Sequence, residues 1–444
     1  MTTELGTVMG TKLSLISEKA AKEKQCRFNN LIHMLNVEGL KECFYLLKRD
    51  KANGIDGVTI AEYEENLEGN LEKLVERMKR WQYRPQAVKR VYIPKGNGEK
   101  RPLGIPAVED KIVQMGVARI LSAIYENDFL EFSYGFRPGR SSHDALNRLD
   151  KIIMKYPINH VIDADIKGFF DNVDHKWLME CLKQRISDRH LLRLIVRILK
   201  SGVMEAGAWY KTERGTPQGG IISPVLANIY LHYILDLWME LKVKSRSSGA
   251  VYVVRYADDF VICVQYKDKA HRIVNELRER FKKFGLELSE EKTRVIEFGR
   301  YSVENAARRR ERPATFDFLG FTHYVGKTRR GHFKVGRTTS RKRMKKKLKE
   351  MNIWLKSVRN LLKIKKWWPI LCAKLRGHFR YYGVSGNFRG ISRFYHHTVR
   401  LLYKWINRRS QKRSMNWDKF NEYIKRYPLP RPKIYHNLYT LCSN

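Results

Sequence analysis

Two pairs of aspartates in apolar, strand-like segments are the residues of this chain best suited to chemistry. Asp258 and Asp259 lie between the runs VYVVRY and FVICV, which predict two short strands with a turn between them. Asp163 and Asp165 interrupt another apolar run, HVIDADI, at residues 160–166. Buried carboxylates need partners, and carboxylates held side by side repel each other, so this arrangement indicates a bound cation.

A hairpin tip that lies beside a neighbouring strand would bring three of these carboxylates together. Hard oxygen ligands without histidine or cysteine favour Mg²⁺. Two such ions about 3.5–4 Å apart clamp the attacking and leaving oxygens of an in-line phosphoryl transfer. Any one aspartate could instead cap a turn or pair with a surface lysine, but the whole set in apolar strands favours the metal interpretation.

The charge of the chain indicates a polyanionic partner. The net charge is +41, and it is unevenly distributed. Residues 301–444 hold 37 Lys+Arg against 6 Asp+Glu, whereas residues 1–300 hold 50 against 40. The C-terminal third therefore predicts a nucleic-acid-binding module. A solvated basic tail is disfavoured, because this region is rich in large apolar residues.

Length and composition narrow the class of protein. A chain of 444 residues with 43% hydrophobic residues predicts a folded protein of two or three domains. It has no apolar run long enough to span a membrane, and its N-terminus, MTTELGTVMG, does not resemble a signal peptide. Six scattered cysteines favour a reducing compartment. We therefore expect a cytoplasmic protein with no membrane partner.

The elements that must position the aspartates predict an α+β fold. Residues 1–26 are expected to be weakly structured. Strands are predicted at 88–106 (two strands around a glycine-rich turn), 160–166, 251–264 and 316–321. Helices are predicted near 112–124, from 141 or 142, over 175–201, from 223, over 270–284, and at 344–362, 367–382 and 390–407. The last three helices predict a bundle, and most of its aromatic rings are expected in the core.

Several motifs together resemble one family. YADD (256–259), DADIKGFFDNVDH (163–175) and GTPQGGIISPVLANIYL (215–231) resemble catalytic and nucleotide-pocket motifs of reverse transcriptases. IPKGNGEKRPLGIP, FSYGFRPGRSSHDAL and the terminal YPLPRPKIYHNLY are similar to the branch encoded by group II introns, the reverse transcriptase/maturases.

This resemblance implies a right-hand polymerase whose antiparallel palm sheet carries the YADD hairpin, followed by an all-α thumb and maturase region. The implied division is an N-terminal extension (1–26), fingers and palm (27–300), a helical bundle with the 316–321 strand at its junction with the palm (301–410), and a basic C-terminal segment (411–444).

The resemblance also assigns roles to individual residues. Asp165, Asp258 and Asp259 resemble the catalytic metal ligands, with the backbone carbonyl of Ile166 as a further ligand and two Mg²⁺ ions as the cofactor. Asp163 is expected to be structural.

Six further residues resemble the nucleotide-binding set of the family. Phe170 resembles the steric gate, whose ring crowds a ribose 2′-OH and favours deoxynucleotides, and Lys292 resembles the lysine that approaches the leaving pyrophosphate. A surface role for Lys292 stays open. The remaining members are Lys95, Arg101, Gln218 and Gly219.

The implied function is an RNA-directed DNA polymerase that also binds its intron RNA and assists splicing and retrohoming. Its implied partners are intron RNA, RNA template, DNA primer or target, and dNTPs. Two alternatives share these residues: a splicing-only maturase, and a related reverse transcriptase that serves phage defence or spacer acquisition. Because no Cys/His cluster follows RYPLP (426–430), we expect no C-terminal endonuclease.

Overall fold

The computed structural model describes residues 8–94, 100–205, 208–216, 219–328, 330–409 and 415–438. They form two compact units that both draw on separate stretches of the chain. The first unit comprises the described residues up to Ser141, with Ala164–Phe260 and His271–Thr293. The second comprises Ser142–Asp163, Val261–Ala270 and the described residues from Arg294 onward. The domain limits expected at residues 26, 300 and 410 stay predictions.

Most helices before residue 284 belong to the first unit, and α6 belongs to the second. They are α1 (Val8–Lys22), α2 (Val37–Tyr45), α3 (Ile60–Glu64), α4 (Leu67–Lys79), α5 (Val108–Tyr125), α6 (Ser142–Lys155), α7 (Phe169–Asn172), α8 (His175–Lys183), α9 (Arg189–Leu199), α10 (Ser223–Leu231) and α11 (Lys267–Lys283). A π-helical continuation, His232–Asp236 and Met239–Lys244, follows α10. The periodic apolar residues of α5, α9 and α11 are the ones buried, which confirms the helices expected there.

The first unit contains a four-stranded sheet of order β2-β1-β4-β5. Its strands are β1 (Val88–Pro94), β2 (Lys100–Ile105), β4 (Val203–Glu205) and β5 (Ala208–Tyr210). The β1 and β2 strands are antiparallel, with Ile93 opposite Arg101, which confirms the two strands expected within 88–106.

A second four-stranded sheet carries the aspartates and has the order β6-β7-β3-β8. Its strands are β3 (His160–Ala164), β6 (Val251–Tyr256), β7 (Asp259–Val264) and β8 (Arg294–Glu297). The β3 and β8 strands are antiparallel, with Asp163 opposite Arg294. Its central strands, β7 and β3, are mostly apolar and largely buried, because residues on both faces are covered.

The second unit also holds a three-stranded sheet and the basic helices. The sheet, of order β11-β10-β9, is formed by β9 (Phe316–Phe318), β10 (Phe321–Lys327) and β11 (Phe333–Thr339). The helices are α12 (Ser302–Arg308), α13 (Arg341–Leu361), α14 (Ile364–Tyr382), α15 (Phe388–Ile406) and α16 (Trp417–Arg426). Helix α15 packs against both α13 and α14. None of the described helices is long and apolar enough to cross a lipid bilayer.

The aromatic residues of the basic helices lie mostly in the core, as expected. Trp367, Phe379, Tyr382 and Trp405 are buried. In the apolar seam of α13, Met351, Leu355 and Val358 are buried, while the residues towards the helix ends are partly exposed. The aromatic rings of this region therefore mainly stabilise the unit, and its exposed surface is dominated by lysine and arginine.

Helix α1 differs from the weakly structured N-terminus that the sequence led us to expect. It packs against α5, and its residues Met9 and Ala20 are buried. At its C-terminal end, the guanidinium of Arg185 donates to the carbonyl oxygens of Ala20 (3.1 Å) and Glu23 (3.1 Å). This cap and the surface of α5 come from distant parts of the chain, so the local sequence gave no sign of them.

Candidate active site

The turn between β6 and β7 presents two of the predicted catalytic residues. Ala257 and Asp258 form the turn, and Asp259 begins β7. Ala257 has a φ of 58°, a left-handed conformation that costs a non-glycine residue about 1–2 kcal/mol. A two-residue hairpin turn requires a positive φ at its first residue. The surrounding structure must therefore hold this turn in place.

A buried arginine holds the turn from the strand side. Arg255 and Asp236 are both fully buried, and the guanidinium donates to both carboxylate oxygens of Asp236, with the Nε–Oδ1 distance at 2.8 Å. The same guanidinium donates to the Asn228 side chain (3.0 Å) and to the carbonyl oxygen of Ala257 (3.0 Å). The buried ion pair thus fixes the backbone of the residue that precedes Asp258.

Residues 132–135 also hold the β6–β7 turn, by pairing with β6 and contacting Ala257. Residues 132–134 run parallel to β6, with Arg255 N–H donating to Phe132 (2.8 Å) and Tyr134 N–H donating to Arg255 (2.9 Å). The Asn228 amide donates to the carbonyl of Gly135 (2.7 Å). A Cβ on Gly135 would lie 2.2 Å from the Ala257 nitrogen. The glycine in FSYGF is therefore needed for close backbone contact with the turn.

Asp165 lies just beyond the end of β3, where the backbone pairs with residues 287–289. Ser289 N–H donates to the Asp165 carbonyl (2.8 Å), and Lys167 N–H donates to that of Glu287 (2.9 Å). The Asp165 carboxylate forms an ion pair with Lys292, at 2.8 Å. Asp165 is one-third exposed (33%) and Lys292 two-thirds (66%), so this pair is accessible to solvent.

The charge of Asp165 acts on the carboxyl group of Asp258. Burial raises the pKa of Asp258; Arg101 lowers that pKa and the charge of Asp165 raises it. Asp258 therefore lies within electrostatic range of Asp165 and Arg101, while Asp259 is exposed at the start of β7. Among the described residues, no three carboxyl, imidazole or thiol groups are already arranged around one metal position. The complete ligand set stays a prediction.

The donors in this region nevertheless fit a hard divalent cation. Two carboxylates that repel each other gain most from a cation between them. Ile166 faces Leu288 in an antiparallel bridge whose hydrogen bonds come from the neighbouring residues. In such a pair the carbonyl of Ile166 points away from Leu288. It is therefore available as the backbone ligand that the sequence resemblance implies.

The predicted nucleotide pocket is built around α7. Thr216 N–H donates to the Phe170 carbonyl (2.7 Å), and Gly215 N–H donates to that of Val173 (2.8 Å). A ring nitrogen of His175 bonds the Gly215 carbonyl at 2.7 Å. These bonds attach Gly215 and Thr216 to the short helix that carries the half-buried Phe170.

Gly219 connects the TPQGG segment to β2, the strand of Arg101. Its φ is 110°, and a Cβ there would lie 2.6 Å from the Gly104 carbonyl oxygen. Glycine is therefore required at this position.

Two predicted nucleotide-binding residues, Lys95 and Gln218, lie outside the described residues. Asp163 pairs with Arg294 at 3.4 Å, which agrees with a structural role.

Sequence reasoning missed the residues that support the turn: Gly135, Asn228, Asp236 and Arg255. One signal was present, because an arginine in the apolar run VYVVRY needs a buried partner. The sequence offered many acidic residues and could not select Asp236 among them.

Comparison with known proteins agrees with this geometry. Residues 93–323 match the family model described as reverse transcriptase (RNA-dependent DNA polymerase). The chain belongs to the reverse transcriptase family. It is 34% identical over 286 residues to "Group II intron-encoded protein LtrA" of Lactococcus lactis subsp. cremoris, a match that covers 51% of this chain and 47% of LtrA.

Two other relatives extend the comparison. "Protein YkfC" of Escherichia coli (strain K12) is 34% identical over 278 residues, covering 55% of this chain and 73% of YkfC. "Nuclear intron maturase 3, mitochondrial" of Arabidopsis thaliana is 25% identical over 204 residues, covering 40% and 28%. These matches confirm the resemblance of this reverse transcriptase to the group II intron branch. The chain spans about half the length of LtrA.

Gly135→Ala should destabilise the protein by about 1–3 kcal/mol, the usual cost of overpacking a core, because the new methyl group meets the backbone of Ala257. Urea unfolding measures the change. Gly377→Ala is the matched control: a Cβ at Gly377 meets nothing within 4 Å, and this helical position should gain up to about 1 kcal/mol. If Gly135→Ala and the wild type unfolded at the same urea concentration, the close contact between residue 135 and Ala257 would be contradicted.

Proposed function

We propose that this reverse transcriptase is an active RNA-directed DNA polymerase that also binds a group II intron RNA and assists its splicing and retrohoming. One observation carries the polymerase part: Asp258, whose carboxyl feels the charge of Asp165, lies on a turn that a buried ion pair holds in a strained conformation. Strain held at a turn that presents an acidic residue supports a catalytic purpose.

The proposed cofactor is a pair of Mg²⁺ ions held by Asp165, Asp258, Asp259 and the Ile166 carbonyl. Bound there, the ions would supply the positive charge that activates a primer 3′-hydroxyl and stabilises the leaving pyrophosphate. Lys292 forms an ion pair with Asp165 at 2.8 Å and is two-thirds exposed (66%). Its flexible side chain can leave that carboxylate, and we propose that its ammonium then contacts the pyrophosphate.

The proposed substrates are dNTPs, primer and RNA template. Arg101 lies near Asp258, which supports a contact between its guanidinium and the triphosphate. Phe170 is half-buried in a helix that hydrogen bonds attach to the start of the TPQGG segment. A helix backbone fixed in this way supports a ring at Phe170 that excludes a ribose 2′-OH. Lys95 and Gln218 stay predicted members of this pocket.

Intron RNA is proposed to bind mainly through residues 301–444, which carry a net charge of +31. The basic cluster RKRMKKKLK (341–349) begins α13, and most of its cations are exposed. Its first turn contains three cations and no acid, although cations at a helix N-terminus are unfavourable by about 0.3–1 kcal/mol each. A surface that tolerates this cost supports binding to a polyanion. The described cysteines are free, which supports a reducing compartment such as the cytoplasm.

Replacing Asp258 and Asp259 by alanine should reduce primer extension on an RNA template by roughly 10³-fold or more, because both anionic ligands are lost. Incorporation of dNTPs with Mg²⁺ is the measurement. The matched control, Asp268→Ala/Glu279→Ala, removes two exposed acids from α11 and should keep wild-type synthesis. Substantial synthesis by the Asp258/Asp259 variant would disprove the assignment.

Phe170→Val should raise incorporation of ribonucleotides relative to deoxynucleotides by at least about tenfold, because a smaller side chain leaves room for the 2′-OH. Single-nucleotide addition with matched rNTP and dNTP gives this ratio. Phe170→Tyr keeps the ring and should keep the discrimination. An unchanged ratio in the valine variant would mean that another residue excludes ribonucleotides.

Neutralising the basic cluster at 341–349 should separate RNA binding from polymerase chemistry. Replacing Lys345, Lys347 and Lys349 by glutamine should weaken binding of the intron RNA and reduce the slope of log affinity against log salt by about 2 to 3, or roughly 0.7–0.9 per phosphate contact. The Asp258/Asp259 variant should still bind that RNA and promote splicing at low Mg²⁺. Loss of splicing as complete as its loss of synthesis would refute the separation.

A further inference from the structure

A cluster of three arginines surrounds Trp81 in the first unit, which also contains the catalytic aspartates. The Cζ atom of Arg193 lies 5.2 Å, and that of Arg197 5.5 Å, from the centre of a Trp81 ring. Arg84 donates to the Trp81 carbonyl (3.2 Å), and the His190 ring packs against the indole at a tilt, with 4.6 Å between ring centres. We call these five residues the Trp81 cluster. None of them takes part in the contacts of the candidate active site.

The backbone that carries the cluster is firmly attached to the unit. Trp81 follows α4 with a φ of 61°, a conformation that a non-glycine residue rarely adopts. Two residues later the Tyr83 hydroxyl donates to buried Asp110 (2.6 Å), and Gln86 N–H donates to the same carboxylate (2.9 Å). Arg197 on α9 donates to the Tyr83 carbonyl (3.0 Å). The backbone beside Trp81 and the Arg197 guanidinium are therefore held in place before any ligand binds.

The three guanidiniums lie close together without acidic partners. In the described part of the chain, the nearby Arg77, Arg80 and Arg185 form ion pairs. Arg84, Arg193 and Arg197 form none there. Burial lowers the pKa of Arg197, and the charges of Arg84 and Arg193 lower it further. Cations that repel one another in a fixed arrangement leave a strong positive potential, which an anion would relieve.

We propose that the Trp81 cluster binds the phosphodiester backbone of a nucleic acid, independently of its sequence. Guanidinium groups match phosphate oxygens with two parallel hydrogen bonds. Arg189, Arg193 and Arg197 follow each other at four-residue intervals on α9, so their origins are spaced by about 6 Å along the helix. Such a row suits the regularly repeated charges of a nucleic-acid strand better than a single small anion.

The indole has a positioning role in this proposal. Its ring contacts two arginines and a histidine, so its surface is already used by the cluster itself. The contact is therefore with phosphates and not with stacked bases, and it carries no sequence information. The choice of nucleic acid as the polyanion rests on the proposed function. The location goes beyond it, since that proposal assigned RNA affinity to residues 301–444.

The test measures the affinity of the full chain for a fluorescein-labelled oligouridylate RNA at several salt concentrations. The variant Arg84→Gln/Arg193→Gln/Arg197→Gln should bind about tenfold or more weakly, and the slope of log affinity against log salt should fall by about 2 (roughly 0.7 per phosphate contact). Because two of these arginines also bond the backbone, Arg193→Glu is a second variant: Arg193 is exposed, and its reversal should weaken binding at an unchanged melting temperature.

The matched control, Arg272→Gln/Arg278→Gln/Lys282→Gln, removes three exposed cations from α11, where acidic neighbours pair with the two arginines. It should leave affinity and slope unchanged. Wild-type binding by both cluster variants, or an equal loss in the control, would overturn the proposal. Displacement of the RNA by polyglutamate at equal charge concentration would do so as well, because it would indicate an acidic polypeptide as partner.

Primer extension by the wild type separates this proposal from the proposed function. If the wild type extends primers and the cluster variants bind RNA normally, the Trp81 cluster is not a nucleic-acid contact. If the wild type extends no primer but the cluster variants lose affinity and slope, the cluster proposal stands and the polymerase proposal fails.

Discussion

The buried ion pair between Arg255 and Asp236 is the interaction on which the turn that carries Asp258 depends. Removing two charges from water costs several kcal/mol per ion, and the cost is recovered only when the hydrogen bonds around the pair are complete. Here the guanidinium donates to Asp236, to Asn228 and to the Ala257 carbonyl. Because one of these hydrogen bonds goes to Ala257, completing the hydrogen bonds of the Arg255 guanidinium also fixes the backbone of the β6–β7 turn. Loss of either partner would leave an uncompensated buried charge, at a cost of about 3–5 kcal/mol.

The fixed turn explains how Asp258 can remain near another carboxylate. In a flexible loop, repulsion would move Asp258 away from Asp165. The strained Ala257, the close contact with Gly135 and the bond from Arg255 together oppose that movement. The repulsion is expressed instead in the raised pKa of Asp258, to which burial contributes most. A site prepared in this way loses little freedom when a cation binds, and it places the charge before the substrate arrives.

The sequence was informative where structure is encoded locally. Alternating and helical apolar patterns predicted the strands around the aspartates and the helices α5, α9 and α11, and the motif residues marked the turn. It was uninformative where partners come from distant segments. Helix α1 is stabilised by α5 and by Arg185, and β10 and β11 were not predicted because their pairing partners provide their stability. Asp236 lies in a helical stretch with no local feature that distinguishes it from other acids.

The two kinds of charge in this protein are held in opposite ways. The acidic residues near the turn are few, and buried hydrogen bonds fix the backbone that carries them. The basic residues of α13 and of the Trp81 cluster are numerous and lie at the surface; the three arginines near Trp81 are held by an aromatic ring and backbone carbonyls.

The first arrangement concentrates negative charge at one point, where a small cation can neutralise it. The second spreads positive charge over helix surfaces, where a helix N-terminus and neighbouring cations make it unfavourable in the free protein. A polyanion that binds only the folded state relieves that cost, so its binding free energy adds to the stability of the units it contacts.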